Sequence, residues 1–205
     1  MDNNIQKFQD FLSEKFPCLD DIKHSFKFCS KYGKGKYLVS SEDKTINFDK
    51  LTEWAIAPKP QSADSLSFSD KYLFLIEFKS GDPTSHERKI DKLIENVKGK
   101  IDDSDSTLTA MYREAFCKET ERLKQRFCLV VDSKQMGITS LTTVLTGLSR
   151  LNNDQMSPRE KTLFERIYPD LKCGIKEPEH YDKLEIWYSE LFDRYLSIYS
   201  IKNCK

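Results

Sequence analysis

Apolar side chains recur along this chain in blocks whose periods separate helices from strands. Ile5, Phe8, Phe11, Leu12 and Phe16 stand at helical spacing, which predicts an amphipathic helix over residues 5–16 ended by Pro17. KYGKGKYLVSS then reads as a glycine turn entering a short strand, and TINFDKLTEWAIAP as a second strand stopped by Pro58. PKPQSADSLSFSD has the composition of a loop or hairpin tip. Tyr72 to Phe78 is nearly all apolar, the pattern of a strand covered on both faces, and Gly81, Asp82 and Pro83 break it. A helix over about 87–101 carries Ile90, Leu93, Ile94, Val97 and Ile101 on one face; a second helical pattern uses Leu108, Met111, Tyr112, Ala115 and Leu123. RFCLVVDS is another buried strand ending near Asp132. Leu141, Val144, Leu145, Leu148 and Leu151 fit one helix, Ser157, Pro158 and Glu160 cap the next, and a last helix starts near Pro178 and runs through Tyr181, Leu184, Trp187, Tyr188, Leu191 and Tyr195.

Helix, strands, two helices, strand and helices in that order predict an α/β (α+β) fold: a mixed central sheet flanked by helices. The 205 residues fit a single domain, 1–205, with a core over about 5–133 and a helical C-terminal elaboration over about 139–205. A 38% hydrophobic content supports a proper core. Thirty-three basic and 33 acidic side chains cancel, which excludes nucleic-acid binding through massive excess positive charge but not a local basic groove. Residues 23–50, with seven lysines against three acids, are the segment where such a surface, or merely a solvated face, would lie. No apolar run is long enough to span a bilayer and the amino terminus lacks a signal-peptide centre, so no membrane partner and a cytoplasmic location are expected. Six dispersed cysteines form no C-x-x-C pair and read as reduced thiols.

The chemistry concentrates where charge interrupts the strongest strand. Glu77 and Lys79 project from one face of it, and two charged groups facing a sheet core must be paired or hold a metal. Asp49, at the mouth of the preceding predicted strand, approaches Glu77 if the two strands pair as a hairpin with a long tip. Two carboxylates and the backbone carbonyl of Phe78 then make a hard oxygen site for Mg²⁺ or Mn²⁺. Lys79 would orient a water or offset charge on a pentacoordinate phosphate, the arrangement of metal-dependent phosphodiester hydrolysis.

Asp49 followed by Glu77-Phe78-Lys79, with the E-x-K at the end of a hydrophobic strand and a helix after it, resembles the PD-(D/E)XK nuclease superfamily, the restriction-endonuclease-like fold. The resemblance covers roughly residues 5–133, as that family's helix, three strands, helix and strand. It implies Asp49 and Glu77 as metal ligands, Lys79 as the catalytic lysine, Mg²⁺ or Mn²⁺ as cofactor, and DNA more than RNA as substrate, in restriction, repair or anti-phage defence. It also implies an acid from the first helix, for which Glu14 is the candidate, and a polar residue from the helix after the motif. On that helix Lys89, Asn96 and Lys100 lie along one flank of the apolar stripe and Lys98 on the other. The pattern departs from the strongest form of the motif: no proline precedes Asp49, the intervening loop is long, and the metal acids number only two.

Blander assignments stand beside these. Glu77 and Lys79 could be a salt bridge on an exposed strand face. Asp64 falls in the loop and Asp70 is too close to Glu77 to return on a neighbouring strand, while Glu53 competes with Asp49 more closely. His86 reads as a solvated residue near a helix start, and Asp132 as a helix or turn cap. The aromatics of the last helix (Tyr181, Trp187, Tyr188, Phe192, Tyr195, Tyr199) suggest core plus a homodimer or protein-partner surface. A non-catalytic binding or assembly module on the same scaffold is the alternative function.

Overall fold

The computed structural model describes residues 3–55, 60–117, 122–137, 157–174 and 183–201. A six-stranded sheet forms the centre, with the strands in chain order from edge to edge. β1 (Lys23–Ser25), β2 (Lys44–Asn47), β3 (Ser65–Phe68) and β4 (Leu73–Lys79) make an antiparallel meander. From β4 the chain crosses through a helix to β5 (Gln125–Val131), which lies parallel to β4, and β6 (Lys183–Tyr188) lies parallel to β5. The expected mixed α/β architecture is present.

One face of the sheet packs on α1 (Asn3–Lys15) and on α4 (Glu87–Phe116), with Leu73, Leu75, Phe127, Leu129, Leu184 and Ile186 pointing into that core. Further along the chain, α5 (Pro158–Thr162), a π turn and α6 (Tyr168–Gly174) join the same layer. Ser157 and Glu160 form the expected capping box. The other face, through Phe74, Ile76, Cys128, Val130 and Trp187, is covered by the single turn α2 (Phe26–Cys29) and by α7 (Phe192–Ile198). No helix among the described residues is long and apolar enough to cross a membrane.

Several elements differ from the sequence expectations, each for a local physical reason. KYGKGKYLVSS is a loop carrying one isolated bridge, Lys31 to Tyr37, and no strand. The segment expected as one strand to Pro58 is β2 followed by helix α3 (Phe48–Ala55), and Pro58 itself lies outside the described residues. Asn47 accepts the Lys50 N–H on its side-chain oxygen at 3.1 Å, an N-cap that turns the chain into a helix burying Phe48, Leu51 and Thr52. The supposed hairpin tip contains β3.

The two helices expected after Gly81 are one helix of 30 residues. Two hydroxyls of its polar middle stay on the buried face with partners: Ser104 accepts from Ala63 N at 3.1 Å, and Thr107 donates to Asp103 O at 2.9 Å. The last expected helix is β6, a 3₁₀ turn and α7. Leu184, Trp187, Tyr188 and Leu191 satisfy a helical period by coincidence, while the strand buries both faces. Trp187, Tyr188, Phe192 and Tyr195 are therefore core residues, not a partner surface. Tyr181 and the helix expected over residues 141–151 lie outside the described residues.

Candidate active site

At its carboxyl end β4 places Glu77 and Lys79 on the α4 side of the sheet, continuing the row of Leu73 and Leu75. Glu77 is only 1% exposed. One of its oxygens accepts from Lys79 Nζ at 2.7 Å and the other from Lys100 Nζ at 2.7 Å. Lys79 also donates to Asn96 Oδ1 at 2.6 Å. Asn96 and Lys100 stand one turn apart, so a single edge of α4 supplies both. The Glu77–Lys79 ion pair is thus part of a buried cluster and not of an exposed strand face.

The second carboxylate is Asp64. Ser65 pairs with Ile76 across the antiparallel β3–β4 ladder, which sets the preceding residue, Asp64, opposite Glu77. Asp64 Oδ2 accepts the Phe78 N–H at 2.7 Å, and its other oxygen lies 3.3 Å from Lys100 Nζ. Burial, then the Glu77 charge, push the Asp64 carboxyl up to about 7, against the pull of Lys100 and the Phe78 N–H. Burial opposes the Lys100 ammonium, yet the charges of Glu77 and Asp64 outweigh it and raise its pKa.

Asp49 does not sit at a strand mouth beside Glu77. It occupies the first turn of α3, two strands from β4 in the sheet order, and accepts from Ser62 Oγ at 2.5 Å. Its charge still reaches Asp64, where it adds to the upward pressure. The expectation of a direct Asp49–Glu77 hairpin gives way because helix α3 and strand β3 intervene. Asp64 takes the place opposite Glu77, and Glu53, exposed on α3, pairs with Lys50 at 2.9 Å.

Of the residues expected in support, the structure brings Asn96 and Lys100 into the cluster. Lys98 lies on the other flank of α4, and Lys89 is exposed at its start with Nζ 3.1 Å from Ser85 Oγ. Glu14 is exposed, and its neighbour Lys15 pairs with Glu114, 14 positions beyond Lys100 and so roughly 21 Å farther along α4. His86 is an exposed N-cap residue of α4. Asp132 acts as a turn cap, accepting from Gln135 N at 3.1 Å and from Gly81 N at 3.4 Å.

Two carboxylates and two ammoniums give a neutral cluster in which Asp64 is strained electrostatically. A carboxyl moved from its ordinary 3.8 to about 7 corresponds to at most ~4 kcal/mol. The Asp64 side chain keeps 21% exposure, and screening there reduces the expected effect to roughly 2 kcal/mol. The folded state holds the proton more tightly than the unfolded one, so this contribution is full below pH 4 and is lost as pH rises through about 7. In chelator, urea denaturation should therefore show this loss between pH 4 and 7 against a reference Asp64→Asn variant that lacks it; parallel profiles would show that Asp64 ionises normally.

Among the described residues no group of three His, Cys, Asp or Glu side chains is arranged to hold a metal. The donors present are the Asp64 and Glu77 carboxylates with the Phe78 backbone carbonyl beside them. Comparisons with protein-family models, curated proteins and solved structures return no match.

Proposed function

We propose that this chain is a metal-dependent nuclease that hydrolyses phosphodiester bonds, with DNA as the substrate, and that Asp64, Glu77 and Lys79 form its centre. The observation that carries the reading is the β3–β4 register, which sets two carboxylates face to face at a strand end with Lys79 two residues on. The order of elements supports it as well: a helix, an antiparallel meander, the E-x-K strand, a crossover helix and a parallel strand are the core that the sequence resemblance implies.

The donor set fits Mg²⁺ or Mn²⁺. Such ions take one or two protein carboxylates and leave the remaining positions to water and substrate phosphate, so a third acid is not required. A site with one carboxyl pushed up by burial and then by its neighbour's charge is also one that a cation would relieve. When bound, the ion would supply Lewis-acid polarisation of a phosphoryl oxygen and a water acidic enough to attack. The chain's own groups do the rest. Lys79, aimed by Asn96 and Glu77, presents an ammonium where negative charge develops on phosphorus. Lys100 bridges the two carboxylates, 2.7 Å from Glu77 and 3.3 Å from Asp64.

The alternative, a non-catalytic binding or assembly module, is favoured by one observation: both oxygens of Glu77 are already paired with lysines. Cleavage separates the two. Wild-type protein with Mn²⁺ should cut DNA, and Glu77→Gln and Lys79→Met should each lower the rate by about 10²–10³-fold, the several kcal/mol typical of lost electrostatic stabilisation. A wild type that cuts neither circular nor linear DNA, single-stranded or duplex, would leave the module as the better reading.

A further inference from the structure

The segment between β1 and β2 is unlike the rest of this neutral chain. Residues 26–41, FKFCSKYGKGKYLVSS, hold four lysines and no acid. The loop is pinned at its base, where Leu38 N donates to Ser30 O at 3.1 Å, Val39 N donates to Ser30 Oγ at 3.2 Å, and the Val39 side chain is buried beneath the sheet. Its tip is a narrow turn, with Tyr32 N donating to Lys36 O at 3.1 Å and Gly35 at φ +68°, a left-handed conformation that suits glycine. No atom lies within 4 Å of a side chain built at Gly33 or Gly35, so the tip stands clear of the protein.

What the loop displays is alternating positive charge and rings. Lys31, Lys34 and Lys36 are exposed, and none is in an ion pair among the described residues. Phe28, Tyr32 and Tyr37 are 49%, 43% and 39% exposed, three of the five large hydrophobic side chains left in solvent among the described residues. Large exposed aromatics cost apolar hydration, and their clustering within ten residues of three unpaired lysines points to a ligand that is both anionic and flat.

Beneath the loop is a cleft of about 640 Å³, walled on one side by Tyr32, Lys36 and Tyr37 and on the other by Asp132, Glu190 and Asp193. That size suits splayed bases of a single strand, not a stacked duplex. Lys134 stands beside those acids, 4.0 Å from Glu190. Lys36 at the rim can meet phosphates, tyrosine rings can meet base faces, and the acids opposite can accept hydrogen bonds from base N–H groups.

The cleft adjoins the candidate centre. Asp132, in its wall, accepts from Gly81 N, two residues beyond Lys79. Glu77 and Lys79 face one side of this strand end, while Phe78 on the other side packs 5.6 Å from Phe192, which lines the cleft. A strand lying in the cleft and passing over the carboxyl edge of β4 would reach Lys79.

We propose that the loop of residues 28–37 and the cleft beneath it bind single-stranded DNA, phosphates on Lys31, Lys34 and Lys36 and bases on Tyr32 and Tyr37. This rests on the nuclease reading for its purpose but not for its test. Fluorescence anisotropy in chelator, where nothing is cut, follows a labelled oligothymidine of about 12 nucleotides, a length within known single-strand site sizes, beside a duplex of equal length.

Wild type should bind the single strand more tightly than the duplex. The Lys31→Ser/Lys34→Ser/Lys36→Ser variant should lower the slope of log affinity against log salt by roughly 2, since each single-strand phosphate contact contributes about 0.7. Tyr32→Ala/Tyr37→Ala should weaken binding at least ~10-fold with the slope unchanged. All these side chains are exposed, so melting temperatures should stay near that of wild type. Equal affinity for duplex, no binding at low salt, or loop variants that bind as wild type does would each overturn the proposal. The two readings fail separately: single-strand binding without any Mn²⁺-dependent cleavage ends the enzyme and keeps the surface. Cleavage that the loop variants retain in full, with unaltered binding, does the reverse.

Discussion

Glu77→Ala is expected to lower the stability of the metal-free chain by about 3 kcal/mol, because removing one partner of a buried ion pair strands the others. Glu77 is the hub of the cluster, accepting from Lys79 and Lys100 at 2.7 Å each. The low end of the usual range applies here. The Lys79 and Lys100 side chains keep 24% and 16% exposure, and each retains one other partner, Asn96 or Asp64. Urea denaturation at neutral pH in chelator measures it. Combining Glu77→Ala with Lys100→Met should recover part of the loss, as the stranded ammonium is then gone and an apolar chain of similar length replaces it. A cost below about 1 kcal/mol for the single variant would mean that the lysines rehydrate freely and that the cluster is a surface feature.

Arg126→Ala should be comparably costly, at about 3–4 kcal/mol, through a different part of the sheet. Arg126 Nη1 meets Glu185 Oε1 at 2.5 Å between the adjacent strands β5 and β6. Its guanidinium lies 4.1 Å from the Tyr72 ring centroid and 5.0 Å from that of Tyr199. Trp187 donates to the second oxygen of Glu185 at 2.8 Å and stacks on Tyr195 and Tyr199, with centroids 5.0 and 5.5 Å away. The pair therefore fastens α7 and the residues after it to the sheet. Once the arginine is gone, Glu185, 7% exposed, keeps neutral donors, the Trp187 indole N–H and the Tyr199 hydroxyl, and a distant Lys183 at 3.7 Å. The cation–π contacts are lost with it. Near-ultraviolet circular dichroism should show the Trp187 signal weaken in step with the stability loss. An Arg126→Ala protein as stable as wild type would show that the aromatic stack holds the helix unaided.

Legibility in the sequence followed how each element satisfies its polar groups. α1 was readable because its buried positions are apolar at an unbroken helical period, and β4 and β5 because each carries a continuous apolar run, residues 73–76 and 127–131. β3 was not, since its pattern is Ser65-Leu66-Ser67-Phe68. The hydroxyls that made it look like a loop are buried, and Ser67 bonds Thr45 of β2 at 2.6 Å while Thr45 also donates to Leu66 O. That one misreading hid Asp64, which stands directly before the strand. An Asn47 cap with Phe48, Leu51 and Thr52 at helical spacing was a signal for α3 that could have removed Asp49 from its supposed strand mouth. Glu185 disguised β6, as a charge in a buried strand shows no partner in sequence when that partner, Arg126, is 59 residues away.

The E-x-K motif itself was visible for the opposite reason. Glu77 interrupts a strand whose apolar residues cover both faces, and such an interruption requires compensation. Half of that compensation, Lys79, is adjacent in sequence. The other half, Lys100, lay among several lysines of a helix whose facing edge the sequence did not decide.

The most direct test of the centre is the melting temperature with and without Mn²⁺ for wild type, Asp64→Asn and Asp49→Asn. An ion held by the folded state alone stabilises it by RT ln(1 + [L]/Kd), about 2.7 kcal/mol at a hundredfold excess over Kd. Wild type and Asp49→Asn should both gain stability with Mn²⁺, and Asp64→Asn should not. A metal-induced rise that Asp64→Asn keeps in full, or one absent from wild type, would contradict the assignment of Asp64 and Glu77 as the metal-binding pair.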